Sequence, residues 1–324
     1  MSVAPTTPAA EVLEGPVSLQ SKEKPMSQWA LAWIRLRRHK LAMVGLVTLS
    51  LITLACILAH WIAPYNYEEI NLNQSYLPIF SPGEEGRPMH YLGTDKLGRD
   101  IFSRLLYAGR ISLIVALATT VAYILVGTVL GAISGSFGGV IDTLLMRFTD
   151  VMLTLPTLPL LLILSSSLRQ FVQLQQFLGS NLSVVIIIFV LVIFGWMGVA
   201  RLVRGSVLSL RSQDFIEASR ALGSGQSRII FRHLVPNSMA PIIVAATLGF
   251  GAVIISESAL SFLGFGVMPP VPTWGNMLNE ARNSPLEYLF VQALSPGFMI
   301  FLTVLSVNFI GDGLRDALDP RLSI

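Results

Sequence analysis

Between two long apolar stretches the chain carries Phe215-Ile216-Glu217-Ala218-Ser219-Arg220-Ala221-Leu222-Gly223, followed after twelve intervening residues by Pro236-Asn237. The chemistry these residues offer is contact. Asp214 to Leu222 holds good helix formers, with Phe215, Ile216, Ala218 and Leu222 as apolar members and Asp214 or Ser212 available to cap the start. Gly223-Ser224-Gly225 allows the left-handed backbone of a tight reversal, and Gln226 to Val235 reads as a second short helix that ends at Pro236-Asn237. A polar, arginine-rich knob of this kind, held between membrane segments, needs a partner outside the bilayer.

Two other groups of residues stand out. Glu257 is a carboxylate set deep in apolar sequence, and a charge at the bilayer centre costs about 2.5–3.5 kcal/mol on insertion scales. It must therefore face protein or water: either it hydrogen-bonds to Ser256, Ser258 or Ser261 as a brace, or it lines a permeation route with Ser261 nearby. The run from His90 to Leu106 holds Asp95, Gly98, Arg99, Asp100 and Arg104. From Asp100 onward Ile101, Phe102, Leu105 and Leu106 share a helical face, Gly93 and Gly98 supply turns, and Asp95 or Asp100 caps a helix start. This predicts a short interfacial elbow helix, with contact to an external partner as the second reading.

Several chemistries are excluded. The four lysines are Lys22, Lys24, Lys40 and Lys96, and none follows a glycine, so no Walker A phosphate loop exists here. His39, His60, His90 and His233 are too dispersed for a zinc-protease helix, and Cys56 is alone, which rules out a disulfide or thiolate metal site within the chain. No metal and no cofactor are expected on this chain. The sequence pI of about 9.2 reflects cations placed beside span ends rather than a nucleic-acid surface.

The elements that must position these residues are membrane spans. Of the 324 residues 53% are apolar and only 13% charged, a balance that indicates an integral membrane protein. Six runs are long enough to cross roughly 30 Å of hydrocarbon: Leu41 to Ala63, Ile111 to Ile133, Val151 to Leu168, Ser183 to Ala200, Ser238 to Ser256, and Tyr288 to Gly311. The third is expected to start near Asp142, because Met146, Phe148 and Met152 continue its apolar face. Placing the N-terminus inside puts 15 of the 22 Lys and Arg residues on the cytoplasmic side, so both termini and the Glu217 knob are expected there. Residues 1–28 read as a disordered cytoplasmic tail, and 29–40 as a basic, tryptophan-flanked interfacial segment in contact with membrane lipid. Gly127, Gly131 and Gly135 leave one face of the second span bare for helix packing or a subunit interface, whereas Pro156, Pro159 and Pro296 favour kinks.

The Glu217-Ala218-Ser219 run, Gly223 and Leu234-Val235-Pro236 resemble the EAA loop of ATP-binding-cassette importer permeases. Ser219 stands where that family has alanine, and His233 and Val235 are mild departures. Further matches come in the family's order: Leu92-Gly93-Thr94-Asp95 with Gly98-Arg99-Asp100 and Ser103-Arg104; Asp142, Met146-Arg147 and Asp150; Glu257 to Gly264; Trp274-Gly275; and Gly311 to Pro320. Together they resemble the second permease subunit of the dipeptide/oligopeptide/nickel subfamily, over about residues 29–324.

The resemblance implies an all-α membrane protein of six transmembrane helices with the type I importer permease fold. Residues 41–110 would hold the first span, the external loop and the elbow, and 111–324 the permease core, with its coupling loop at about 204–237. The chain would be no enzyme. A second, homologous permease would pair with it as a heterodimer, two cytosolic ATPases would carry ATP and Mg, and an external binding protein would deliver substrate. Residues 215–223 would seat in an ATPase groove. Peptides are the expected substrate; nickel chelates, glutathione-like thiols and glycosides are the alternatives. The expected location is a bacterial or archaeal plasma membrane. An ion-coupled secondary transporter is the rival class, but it usually shows repeated broken helices and more intramembrane ionisable groups.

Overall fold

The computed structural model describes residues 28–170 and 179–319. The tail expected over 1–28 lies outside these residues except for Gln28, which opens α1 (Gln28–Arg38). Next comes α2 (Lys40–Ile57), whose start is capped by His39: the Nδ1 of its ring accepts the Ala42 amide at 3.1 Å. A largely irregular segment then leads to α3 (Ile101–Phe137), a helix of 37 residues. Asp100 is its N-cap and accepts the Ser103 amide at 2.7 Å. The expected elbow is therefore no separate helix. Ile101 to Tyr107 form the first turns of the second span itself, because nothing between Tyr107 and Ile111 breaks the helical backbone.

The third span departs further from expectation. It consists of α4 (Gly139–Thr154) and α5 (Thr157–Leu168), bent by 90°. The cause is local: Pro156 disfavours helical backbone at the residue before it, and Leu155 is extended, with ψ 141°. Pro296 has no such effect, since it lies buried within one continuous helix.

Following α5 are α6 (Leu182–Leu210), α7 (Asp214–Ala221), α8 (Met239–Phe262), α9 (Trp274–Ala281) and α10 (Leu286–Leu318). Five helices, α2, α3, α6, α8 and α10, are long and apolar enough to cross a membrane, and the bent α4–α5 pair makes a sixth if taken as one span. The described residues form no strand, only the isolated bridges Ser81–His90 and Thr94–Asp100.

Helices α3 and α6 form the centre of the core. A Cβ on Gly127 would lie 2.7 Å from the Trp196 carbonyl oxygen, and one on Gly131 would lie 2.4 Å from that of Ala200. Gly135 abuts Val207 in the same way. The glycine face is thus used within the chain, where it lets two long helices approach closely.

Candidate functional site

The knob begins at Gln213, which precedes α7 as its N-cap without a side-chain hydrogen bond, so neither Asp214 nor Ser212 caps it. Ile216 is fully buried and anchors α7, while Phe215 meets His233 edge-on. Gly223 has φ +82° with open space where a Cβ would point, so it is the backbone turn that calls for glycine here. Its amide donates to the Arg220 carbonyl at 2.8 Å. The second limb does not end at Pro236-Asn237. Gln226–Ile229 passes into a π turn, Ile230–Leu234, and then through Val235–Asn237 towards α8. Pro236 occupies the first turn of the last piece, where its missing N–H costs nothing.

Inward-facing Ile229, Ile230 and Leu234 hold this limb to the body. The outer surface is different. Leu222 is 87% exposed, Phe231 61% and Phe215 41%, and they share that surface with Glu217, Ala218, Arg220 and Ala221; Ser219 is half-buried. Exposed apolar side chains of this size on a small polar knob mark a contact site. Two hydrogen bonds reach the end of α3, one from the root of the knob and one from the knob itself: Arg211 Nη1, at the end of α6, donates to the Gly135 carbonyl and Gln226 Nε2 to that of Ser136, each at 3.2 Å.

Glu257 is completely buried, and three serines surround it. Ser261 Oγ donates at 2.7 Å, Ser112 Oγ approaches from α3 at 3.4 Å, and Ser258 Oγ lies at 3.5 Å. Ser256, the third serine considered in the sequence, instead donates to the Ala252 carbonyl. The same two hydroxyls reach further: Ser112 Oγ accepts the Trp274 amide and Ser261 Oγ accepts the Val267 amide, both at 3.2 Å. Trp274 is itself fully buried, and its indole N–H donates to the Leu105 carbonyl at 3.1 Å. Glu257 thus sits where α3, α8 and the start of α9 meet.

The elbow residues form a buried ionic cluster. Arg99 Nε and Arg104 Nη1 both donate to Asp95 Oδ2 at 2.7 Å. Both guanidiniums also reach Glu280 Oε2 on α9 at 2.7 Å. Burial pushes the Glu280 carboxyl up, but the Arg104 charge and hydrogen bond, followed by Arg99 and Lys96, outweigh it and hold it below its ordinary value. Asp100 pairs with buried His90 at 2.8 Å, and the Tyr65 ring stacks on that imidazole. Gly98, at φ +71°, packs so tightly that a Cβ would lie 1.8 Å from the Asn71 carbonyl oxygen.

A groove of about 300 Å³ opens between α3, α5, α6 and α8, lined among others by Tyr123, Thr157, Gly198, Leu202 and Ser256. Tyr123 lies against Gly195 and Gly249, which leave room for its ring and hydroxyl. Among the described residues, no group of three or more His, Cys, Asp or Glu could hold a metal ion.

Residues 127–324 match the family described as binding-protein-dependent transport system inner membrane component, and residues 27–78 match the N-terminal TM domain of oligopeptide transport permease C. This chain is a permease of that family. Among its relatives, the dipeptide transport system permease protein DppC of Alkalihalophilus pseudofirmus is 42% identical over 92% of this chain and 91% of its own length. The oligopeptide transport system permease protein OppC of Bacillus subtilis is 39% identical over 93% and 92%. The glutathione transport system permease protein GsiD of Pectobacterium atrosepticum is 39% identical over 91% of each chain. These relatives are transport proteins and not enzymes.

Seen as a permease, the chain also contains polar partners that the sequence did not announce. Glu280 is one: its role depends on Arg99 and Arg104, 181 and 176 residues away. Arg204 is another, since it holds Asp142 from across 62 residues. Arg169 is a third, donating through Nη2 to the Phe265 and Gly266 carbonyls just beyond α8. No local periodicity signals such partners, although a charged residue beside a span end is reason to look for one.

Proposed function

We propose that this permease forms one half of the translocation pore of an ATP-driven importer of di- and oligopeptides. Its partners are a second, homologous permease, two cytosolic ATPase subunits and an external binding protein. The supporting observation is the knob, on which Leu222, Phe215 and Phe231 are exposed along with Glu217. In this reading the apolar side chains seat in an ATPase groove, Glu217 supplies a polar contact at its edge, and Gly223 sets the angle of the knob. When the ATPase dimer closes on ATP and Mg, it draws the two knobs together and reopens the pore outward. The permease holds no Walker A lysine, so both ATP and Mg belong to the ATPase subunits.

The basic-residue bias favours a topology with both termini and the knob in the cytoplasm and the Pro64 to Arg110 loop outside. Peptide cargo is favoured by the relatives, whose names cover dipeptides, oligopeptides and glutathione. A groove lined largely by apolar side chains and glycines, with few hydroxyls, also suits cargo of varied side chains.

The test is uptake of a radiolabelled dipeptide by membranes containing the assembled complex. Leu222→Asp should abolish co-purification of the ATPase subunits and ATP-dependent uptake at unchanged membrane abundance. Uptake that persists without ATPase subunits and follows a proton or sodium gradient would overturn the proposal in favour of a secondary transporter.

A further inference from the structure

We propose that the Asp142–Arg204 ion pair is a latch holding α4 against α6 beside the groove, and that transport requires it to open. The proposal rests on the importer reading above. Helix α4 is articulated at both ends. At its start Gly138 and Gly139 have φ +66° and +55°, and the space around Gly139 is open. At its end the Leu155–Pro156 corner turns the chain by 90° into α5. Between these joints only Thr149 is buried, so packing contributes little to holding α4 in place.

The hold on α6 is mostly polar. Arg204 grips Asp142 with two parallel hydrogen bonds, Nε to Oδ1 at 2.5 Å and Nη2 to Oδ2 at 2.6 Å, a directional geometry. Ser134 Oγ donates to the same carboxylate, Arg201 pairs with Asp150, and Phe148 stacks on Trp196. These contacts border the groove: Leu202, between the two arginines, lines it, and so does Thr157, just past the corner.

The knob supplies the input to this lever. Arg211 and Gln226 bond to the carbonyls of Gly135 and Ser136, within the last turn of α3 and immediately before the Gly138 joint. Movement of the knob therefore reaches the joint through two hydrogen bonds, and the latch decides whether α4 follows. Asp142 and Arg204 are positioning residues in this scheme and need not touch cargo.

The reporter is Gly198→Cys in a Cys56→Ser background, because position 198 lines the groove and an added side chain there meets open space. In inside-out vesicles carrying the whole complex without ATP, a membrane-impermeant maleimide should label it slowly. Asp142→Asn should speed labelling about tenfold, the population shift expected from losing one charge-assisted pair, and should lower uptake per ATP hydrolysed. The exchange Asp142→Arg with Arg204→Asp should return both readings towards the parent, which a purely structural loss would not do. Asp150→Asn breaks an exposed pair, and so keeps the fold intact while raising labelling less. Unchanged labelling in Asp142→Asn at equal abundance overturns the latch, as does an exchange variant that labels as fast as the single variant. If Asp142→Asn fails to accumulate, unchanged labelling in Asp150→Asn overturns it. Labelling needs neither ATP nor cargo, so these outcomes are separate from the ATP dependence on which the importer reading stands.

Discussion

At the scale of single residues, two glycines with similar backbones should respond differently to the same change. Gly98 and Gly223 both have positive φ, so alanine costs each roughly 1 kcal/mol in backbone strain. Only at Gly98 would the new Cβ meet a backbone oxygen, 1.8 Å away, whereas Gly223 has open space. Gly98→Ala should therefore lower the melting temperature of the purified permease by clearly more than Gly223→Ala; equal shifts would contradict the packing described for the outer loop. Glu257 offers a second comparison. Glu257→Gln keeps an acceptor for Ser261, while Glu257→Leu leaves buried serine hydroxyls without one, at about 1–3 kcal/mol for each. Thermal unfolding should show Gln close to the parent and Leu strongly destabilised, and a Leu variant as stable as the parent would refute the brace. That Glu257 must face protein or water was legible from the sequence. Its full surroundings were not, because Ser112 lies 145 residues away.

At the scale of elements, the apolar runs were legible because each must satisfy its backbone within a helix while crossing hydrocarbon, and length alone then announces it. What was hidden is how those helices begin, end and bend. Asp100 starts a helix that nothing interrupts for 37 residues, so the expected elbow disappears into the second span. The Pro156 break was foreseen as a kink, but the right angle depends on the extended backbone at Leu155. The knob's helix–glycine–helix pattern was legible, while its continuation towards α8 was masked by Pro236, which reads as a stop until it is placed in a first turn. Replacing Gly223 by Val, which combines positive φ with a β-branched side chain, should disturb the knob alone: membrane abundance stays normal while uptake and substrate-stimulated ATP hydrolysis fall together. Normal values for both would remove the knob from the coupling scheme. The outer cluster yields a pH prediction. Glu280 is held below its ordinary 4.5, so its stabilising contribution is complete above that pH and is lost as the pH falls below it through the lowered value. Proteolysis of the Tyr65 to Met89 loop in outward-facing vesicles should accelerate below about pH 4.5, and Glu280→Gln should show fast cleavage already at neutral pH.

At the scale of the whole molecule, every assigned role depends on which side of the membrane each loop occupies. With 15 of 22 basic residues on the N-terminal side, position 84 should be external and position 224 cytoplasmic. In a Cys56→Ser background, Glu84→Cys should react with a membrane-impermeant thiol reagent on intact spheroplasts, and Ser224→Cys only after the membrane is broken. Labelling at 224 from outside would end the coupling scheme. The inside-versus-outside expectation rests on the charge bias, a property of composition near span ends. The ionic cluster, the surroundings of Glu257 and the groove were not readable, because each joins helices that are far apart in sequence.

The distance between Arg104 and Glu280 also orders events during synthesis. At about 5–20 residues per second, the ribosome needs roughly 9–35 s to add the 176 residues that separate them. Throughout that interval Arg99 and Arg104 have Asp95 to pair with but not the second carboxylate that both reach in the finished fold. A chain stopped short of Glu280 therefore lacks the carboxylate that ties α9 to the start of α3.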